Sequence, residues 1–202
     1  MRAFLLLLLV AAAAAQTSPI ATDLKGKLVA VKNKVVLPID AMPVTQTRYI
    51  AFYFGAGWCG PCHKFTPDLV SFYKEMKPKY PNDFEVVFVS EDTDAGEMPN
   101  YMNEMSMPWP ALRWDALKWS QARKLSGPGI PCLVVVDGQG KMVSHSYEGQ
   151  NYLGPHKVLD DLRKLLAGNG ATVVSASSPP ATVRASPSPG QSDWDKFFKK
   201  KP

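Results

Sequence analysis

The strongest constraint on the fold of this chain is a change in hydrophobic pattern around two cysteines, Cys59 and Cys62. Before the pair, residues 47–55 (TRYIAFYFG) are rich in β-branched and aromatic residues and nearly continuously apolar, which is typical of a strand buried in the centre of a sheet. After the pair, apolar residues recur every three or four positions, which predicts an amphipathic helix. These apolar residues are Phe65, Leu69, Phe72, Tyr73 and Met76. The two cysteines are therefore predicted to lie where a buried strand ends and a helix begins.

The rest of the chain alternates between the strand pattern and the helix pattern. Residues 27–39 indicate a β-hairpin that turns at residues 32–34, and residues 138–140 (GQG) indicate a second turn. Further strands are predicted at 84–90, 130–137 and 141–147, and further helices at 98–105, 119–125 and 155–166. This order, which ends with two adjacent strands and a helix, predicts an α/β fold.

The position of the cysteine pair indicates what it can do chemically. Backbone N–H groups at a helix N-terminus have no partners within the helix, and the partial positive charge there stabilises an anion. Because only a thiolate attacks a disulfide, Cys59 is predicted to be an exposed nucleophile with a lower pKa than a free cysteine. Cys62, one turn further along the helix, is predicted to attack the resulting mixed disulfide and release the reduced substrate.

The residues between and beside the cysteines fit the same role. Trp58 is predicted to cover one side of the sulfur, Gly60 to leave room for a substrate chain, and Pro61 to fix the turn into the helix. His63 is interpreted as an exposed surface histidine, with added positive charge near the pair as the alternative.

Two other uses of a close cysteine pair are disfavoured. A zinc site needs four ligands, and the remaining cysteine and the three histidines (His63, His145 and His156) do not supply a second ligand pair with suitable spacing. A structural disulfide across two residues would close a very short loop and would stabilise the fold little. No metal site and no cofactor are predicted.

The N-terminal residues predict export. Arg2 is followed by an apolar run at residues 3–15, which is shorter than the about 20 residues that a membrane-spanning helix needs. Small residues at the end of this run match the pattern that a signal peptidase reads. Residues 1–15 are therefore predicted to be a signal peptide cleaved before Gln16, with an uncleaved anchor as the alternative. The mature protein is expected to be periplasmic or secreted, with residues 16–23 as an N-terminal lead.

The composition changes in the C-terminal part of the chain. Residues 169–192 are rich in Ala, Ser and Pro and almost uncharged, so they are predicted to be a linker. Residues 193–202 combine three aromatic residues with four lysines. They are interpreted as a disordered charged end, or alternatively as a short amphipathic segment that contacts a membrane surface or a partner. The net charge of +5 comes from scattered residues, so nucleic-acid binding is not expected.

Four stretches of the sequence together resemble the thioredoxin superfamily. They are YIAFYFGAGWCGPCHKFTPDLVSFY (49–73), FEVVFVSEDTD (84–94), MPWPAL (107–112) and GIPCLVVVDGQGK (129–141). The sequence around the cysteines is most similar to the tryparedoxin and nucleoredoxin branch, which is grouped with the TlpA-like reductases. Over residues 24–168 the resemblance implies a thioredoxin-like α/β fold, with a central mixed β-sheet flanked by helices on both faces.

The resemblance also implies roles for residues away from the pair. Pro131, which follows Ile130, matches the family's cis-proline, which packs beside the active-site sulfurs and offers backbone groups to an extended substrate. Tyr53 stands where thioredoxins have a buried aspartate that helps to deprotonate the inner thiol. The proton of Cys62 is therefore expected to pass to Tyr53, to water or to Glu91.

Two further residues are predicted to modulate the site. Glu91, where the tryparedoxin branch often has a tryptophan, is interpreted as a helix cap together with Asp92, or alternatively as a carboxylate that raises the pKa of a nearby thiol. Cys132 stands where thioredoxins usually have threonine. It is interpreted as a buried small apolar residue, with a third thiol that oxidation can trap or modify as the alternative.

Together these features predict an exported thiol–disulfide oxidoreductase that reduces or isomerises disulfide-containing protein substrates. A membrane or soluble thiol donor is expected to supply the electrons. The Gly-Pro pair between the cysteines resembles that of reducing thioredoxins. The alternative is a redox-inactive thioredoxin-like binding module or scaffold, although such domains typically lose a cysteine or the cis-proline and this chain has both.

Overall fold

A computed structural model describes residues 18–168, which form nine strands and five α-helices. The strands are β1 (Leu28–Lys32), β2 (Val35–Pro38), β3 (Tyr49–Gly55), β4 (Phe84–Ser90), β5 (Ala111–Leu112), β6 (Cys132–Asp137), β7 (Met142–His145), β8 (Tyr147–Glu148) and β9 (Asn151–Tyr152). The helices are α1 (Pro19–Leu24), α2 (Met42–Thr45), α3 (Gly60–Met76), α4 (Glu97–Glu104) and α5 (Pro155–Gly168), with two 3-10 helices at Trp114–Trp119 and Gln121–Leu125.

Seven of these strands form one mixed sheet in the order β2-β1-β5-β4-β3-β6-β7. Within it, β3 is parallel to β4 and antiparallel to β6. Every residue of β3 and β4 is buried, which explains the near-continuous apolar runs in both segments. The remaining strands, β8 and β9, form a short separate hairpin.

Helices cover both faces of the sheet, and the alternation of side chains along β3 shows which helices share a face. Ala51 and Tyr53 belong to an apolar cluster that contains residues of α3, α4 and α5. Ile50, Phe52 and Phe54 belong to the cluster on the opposite face, which contains residues of α1 and α2. The predicted thioredoxin-like α/β fold is therefore confirmed.

The predicted hairpin at 27–39 is confirmed, whereas one predicted helix has a different form. The hairpin turns at Asn33 and Lys34, whose φ angles of +49° and +66° suit a two-residue turn that matches the twist of the strands. The helix predicted at 119–125 is instead part of two 3-10 helices. They are separate because Ser120 has an extended backbone between them, and its Oγ accepts the N–H of Ala122.

Two predicted strands are shorter than expected. β6 begins at Cys132 and not at residue 130, because Pro131 has no N–H to contribute to a strand ladder. β7 ends at His145 and not at residue 147. The next residue, Ser146, bonds through its side chain to both the N–H and the carbonyl of Leu133, which replaces a regular strand pair.

The structure contains an N-terminal helix that the sequence analysis did not predict. α1 follows Ser18, whose Oγ accepts the N–H of Ala21 at 3.2 Å. Ile20 and Leu24 are buried in the apolar cluster that also contains Ile50, Phe52 and Phe54 of β3. The packed part of the domain therefore includes residues 19–23, which belong to the segment 16–23 that was interpreted as a lead.

Three predicted segments lie outside the described residues: the signal peptide (1–15), the linker (169–192) and the tail (193–202). Their boundaries stay predictions. Between residues 18 and 168, no helix is both long and apolar enough to cross a membrane.

We expect Leu24→Ala to lower the free energy of unfolding by about 2–5 kcal/mol, because it removes a buried side chain and leaves a cavity. Chemical denaturation followed by circular dichroism measures this change. Lys25→Ala, at the exposed next position, is the matched control and should change the free energy by less than about 0.5 kcal/mol. Equal stability of the two variants would show that α1 does not pack on the sheet in solution.

Candidate active site

The cysteine pair lies between the end of β3 and the first turn of α3. Cys59 is the N-cap residue of α3, and its Sγ accepts the Cys62 N–H at 3.2 Å. Gly60 and Pro61 form the first turn, where a proline is favoured because its missing N–H needs no partner. Cys59 and Cys62 are joined as a disulfide, with their Cα atoms 5.2 Å apart. The structure therefore shows the oxidised form of the pair.

The exposure predicted for Cys59 is wrong for this oxidised form. Only 4% of Cys59 is exposed, because its Sγ is bonded to the buried Cys62 and lies 3.8 Å from the carbonyl oxygen of Ile130. Trp58, predicted to cover the sulfur, is 65% exposed. A Cβ placed on Gly60 would meet no atom within 4 Å, so the space expected at this residue is present.

A cis peptide bond joins Ile130 to Pro131, which confirms the cis-proline that the resemblance implied. The next residue, Cys132, pairs with Phe54 near the end of β3, so the register of the sheet brings this bond beside the cysteine pair. The Pro131 carbonyl accepts the OH of Tyr152 at 3.0 Å. This hydrogen bond ties β9 to the segment next to the site.

Tyr53 is fully buried in β3 and belongs to a network of hydroxyl groups that reaches the pair. Its OH lies 2.7 Å from Thr66 Oγ1 and 3.4 Å from the OH of Tyr101. The Tyr101 OH is also 2.7 Å from Thr66 Oγ1. Thr66 donates its only proton to the Cys62 carbonyl at 2.8 Å, so both phenols must donate to Thr66.

Burial raises the pKa of Tyr53 well above its usual range, so the phenol stays protonated at neutral pH. Tyr53 is therefore a hydrogen-bond donor, and its protonation argues against it as the base for Cys62. Gly55 makes room for this phenol, because a Cβ there would lie 2.9 Å from the Tyr53 oxygen. Thr66 and Tyr101 were not among the predicted site residues. The signal for Thr66 was a hydroxyl residue on the apolar face of the predicted helix.

The charge of Glu91 acts on the thiol of Cys132, another of the predicted modulators. Glu91 is half-buried, and burial raises the pKa of its carboxyl, although the Arg123 cation opposes this shift. Burial also raises the pKa of the Cys132 thiol, and the Glu91 charge adds to that increase. Cys132 is free and fully buried, with its Sγ 4.0 Å from Nε2 of His145. Its surroundings agree with the interpretation as a buried apolar residue.

The predicted helix cap at Glu91 and Asp92 is wrong. α4 begins after Gly96, whose N–H is bound at 2.7 Å by the side chain of Asp94. Asp92 is buried and its Oδ1 instead accepts the N–H of Gly57 at 2.7 Å. Its carboxylate therefore binds the chain just before the cysteines, 35 residues away in sequence.

His63 is half-buried and contacts the same segment of chain. Its Nε2 lies 2.6 Å from the Gly57 carbonyl oxygen, and its ring centroid lies 5.0 Å from that of Tyr101. Its Nδ1 is 3.8 Å from a carboxylate oxygen of Glu104. The interpretation as an exposed surface histidine is therefore wrong, because the ring is half-buried and contacts the backbone of the active-site segment.

Within residues 18–168, no group of three or more His, Cys, Asp or Glu side chains is arranged to hold a metal ion.

A mixed sheet covered by helices, a CxxC pair on the first turn of a helix and a cis-proline beside it define the class of thioredoxin-like oxidoreductase domains. Residues 46–142 match the family model described as Thioredoxin-like. Over these residues the chain is therefore similar to the thioredoxin superfamily.

The chain is similar in sequence to nucleoredoxins and in structure to a tryparedoxin. "Probable nucleoredoxin 1" of Arabidopsis thaliana is 42% identical over 104 residues, which cover 50% of this chain and 17% of that protein. Human nucleoredoxin is 37% identical over 101 residues, which cover 49% of this chain and 22% of that protein. The solved structure of tryparedoxin II complexed with glutathionylspermidine is 26% identical with a TM-score of 0.53, and the match covers 69% of this chain and 89% of that one. The chain thus spans only about a fifth of the length of these curated relatives.

We expect Cys132 to resist alkylation in the folded, oxidised protein, because it is fully buried and its thiol pKa is raised. Mass spectrometry after iodoacetamide treatment should find Cys132 unmodified before unfolding and alkylated after it. Cys59 and Cys62 should appear in one disulfide-linked peptide. As an internal control, prior reduction of the protein should make Cys59 reactive. A disulfide between Cys132 and either member of the pair would contradict this prediction.

Proposed function

We propose that this domain reduces or isomerises disulfides in protein substrates, with Cys59 as the nucleophile and Cys62 as the resolving thiol. The proposal rests on one observation above all: Cys59 Sγ accepts the Cys62 N–H at the N-terminus of a 17-residue helix. This donor and the helix dipole favour a thiolate at Cys59 once the pair is reduced. The cis bond at Pro131 and the similarity to nucleoredoxins and tryparedoxin II support the same chemistry.

Reduction of a substrate takes two thiol–disulfide exchanges. The Cys59 thiolate attacks one sulfur of the substrate disulfide, the substrate S–S bond breaks, and the departing thiolate takes up a proton. Deprotonated Cys62 then attacks Cys59 Sγ, the mixed disulfide breaks, and the second substrate sulfur leaves and is protonated. The substrate gains two electrons and two protons, and the domain is left with the Cys59–Cys62 disulfide.

The surroundings of the pair favour an extended protein segment as the substrate. Gly60 leaves open space beside the sulfurs, and Trp58 offers an exposed aromatic surface next to Cys59. The carbonyl of Ile130 lies 3.8 Å from Cys59 Sγ, so the backbone before Pro131 is within reach of a chain bonded to that sulfur. Backbone hydrogen bonds of this kind recognise an extended segment without requiring a particular side chain.

Water is the proposed carrier of the proton that leaves Cys62. Tyr53 is already protonated, and the charge of Glu91 acts on Cys132. The first substrate thiolate to depart is itself a base, with an ordinary thiol pKa of about 8.5. A water molecule on the open side of the pair can therefore transfer the proton from Cys62 to that thiolate.

Repeated turnover needs an external thiol donor that reduces the Cys59–Cys62 disulfide. The donor is proposed to be a membrane or soluble thiol, as the Gly-Pro pair between the cysteines favours a reducing role. Tryparedoxin II has been solved in complex with glutathionylspermidine, which makes a small molecule of that type a candidate for the soluble donor.

Export is the second part of the proposal, and it rests on Arg2 and the apolar run at residues 3–15. We expect the full chain, expressed in a host with a secretory pathway, to be recovered outside the cytoplasm with Gln16 as its first residue. N-terminal sequencing of the fractionated protein measures this. A membrane-bound product that begins at Met1 would support the uncleaved anchor, and full-length protein in the cytosol would contradict export.

We expect Cys59→Ser to lower the rate of insulin reduction to that of dithiothreitol alone, because only a thiolate attacks a disulfide. The turbidity of precipitating insulin B chain measures the rate. Cys132→Ala removes the buried third thiol and is the matched control, which should retain most of the wild-type rate. A wild-type domain no faster than dithiothreitol alone would instead favour the redox-inactive binding module.

A further inference from the structure

The backbone of Gly57 is held on both sides just before the cysteine pair. Its N–H is bound by Asp92 Oδ1 at 2.7 Å, and its carbonyl oxygen lies 2.6 Å from His63 Nε2. Because a carbonyl only accepts hydrogen bonds, His63 must carry a proton on Nε2. We infer that Asp92 and His63 are positioning residues that fix the Cys59 sulfur at the start of α3 by holding Gly57. We term this arrangement the Gly57 clamp. Its inferred role at Cys59 rests on the proposed oxidoreductase function.

Gly57 lies in the turn that sets the direction of the chain at Cys59. The Cys59 N–H donates to the Ala56 carbonyl at 3.1 Å, so residues 56–59 form a β-turn with Gly57 at its first central position. The Cys59 carbonyl then accepts the Cys62 N–H at 3.0 Å and so begins the helix. A displacement of Gly57 would rotate this turn and move the Cys59 sulfur away from the Cys62 N–H.

Asp92 is itself fixed in orientation. It is 6% exposed, and its Oδ2 accepts the hydroxyl of Ser90 at 2.7 Å. Its backbone carbonyl accepts the indole N–H of Trp114 at 2.9 Å. The carboxylate therefore offers Gly57 an acceptor that is anchored to the end of β4.

His63 is fixed from a different direction. It lies on the first turns of α3, its ring packs against Tyr101, and its Nδ1 faces the carboxylate of Glu104. The Gly57 clamp thus ties one turn to the sheet through Asp92 and to the helix through His63. Gly57 therefore cannot move with the sheet alone or with the helix alone without breaking one of its two hydrogen bonds.

The clamp has its greatest effect in the reduced protein. In the oxidised form the bond to Cys62 already fixes the Cys59 sulfur. After reduction that bond is lost, and the turn at Gly57 determines whether the sulfur stays next to the Cys62 N–H. Loss of the clamp should therefore raise the pKa of the Cys59 thiol and make the reduction potential of the pair more negative, because the reduced form is destabilised relative to the disulfide.

The reactivity of Cys59 tests this inference without any substrate. In the reduced protein, Asp92→Ala and His63→Phe should each lower the rate of Cys59 alkylation by iodoacetamide at pH 7 about fivefold to tenfold, which is typical of losing one ordinary hydrogen bond. The alkylation midpoint should move to higher pH. Asp92→Asn retains an acceptor and His63→Gln retains a donor, so these variants should recover most of the rate.

Two residues outside the clamp provide matched controls. Asp94→Ala removes a carboxylate–glycine hydrogen bond of the same 2.7 Å length in the same loop. His156→Phe replaces a histidine that packs on Phe65 of α3 without touching Gly57. Both controls should alkylate at the wild-type rate, and thermal unfolding of every variant verifies that the fold is retained.

Alkylation of Asp92→Ala and His63→Phe within twofold of these controls would overturn the inference. In the double variant the loss should be smaller than the product of the single losses, because both side chains act on one residue. If the double variant instead loses the full product of the two single losses in alkylation rate, Asp92 and His63 act independently, and the inference would also be overturned. Insulin reduction by the wild type is measured separately. A wild type that fails to reduce insulin, while the variants still lower Cys59 reactivity, would remove the proposed function and leave the clamp supported.

Discussion

A sulfur atom that accepts a backbone hydrogen bond at the start of a helix is the interaction on which the rest of this domain depends. Cys59 Sγ can accept the Cys62 N–H because only residues 56–59 separate the end of β3 from the start of α3. Every residue of β3 is buried, with side chains packed on both faces of the sheet. The strand therefore cannot shift without losing close packing, and the sulfur stays where the helix dipole acts on it.

The topology of the sheet brings the other site residues to the same edge. β3 and β4 run parallel, with Gly55 opposite Ser90, so the segment after β4 delivers Asp92 to the turn before the cysteines. β6 runs antiparallel to β3 and begins opposite Phe54, which brings the Ile130–Pro131 bond to that edge as well. Residues more than 70 positions apart in the chain thus meet around two sulfur atoms.

Hydrophobic periodicity was sufficient to predict β3, β4 and α3, because each is long and packs its apolar residues on a definite face. α1 was missed because its six residues owe their stability to the packing of Ile20 and Leu24, which a local pattern does not show. The cis bond before Pro131 was expected only through the resemblance, since cis forms are about 5–6% of X–Pro bonds. Asp92 was read as a cap because its real partner lies far away in sequence.

The hydroxyl network beside Cys62 has a consequence for natural variation. Thr66 accepts from two phenols and donates once, which uses its full bonding capacity. Changing Thr66 alone would remove the acceptor that both buried phenols share, so Thr66 should covary with Tyr53 and Tyr101 across relatives. Position 55 belongs to the same set, because any side chain there would collide with the Tyr53 oxygen. A relative with a larger residue at 55 should therefore have something shorter than tyrosine at 53.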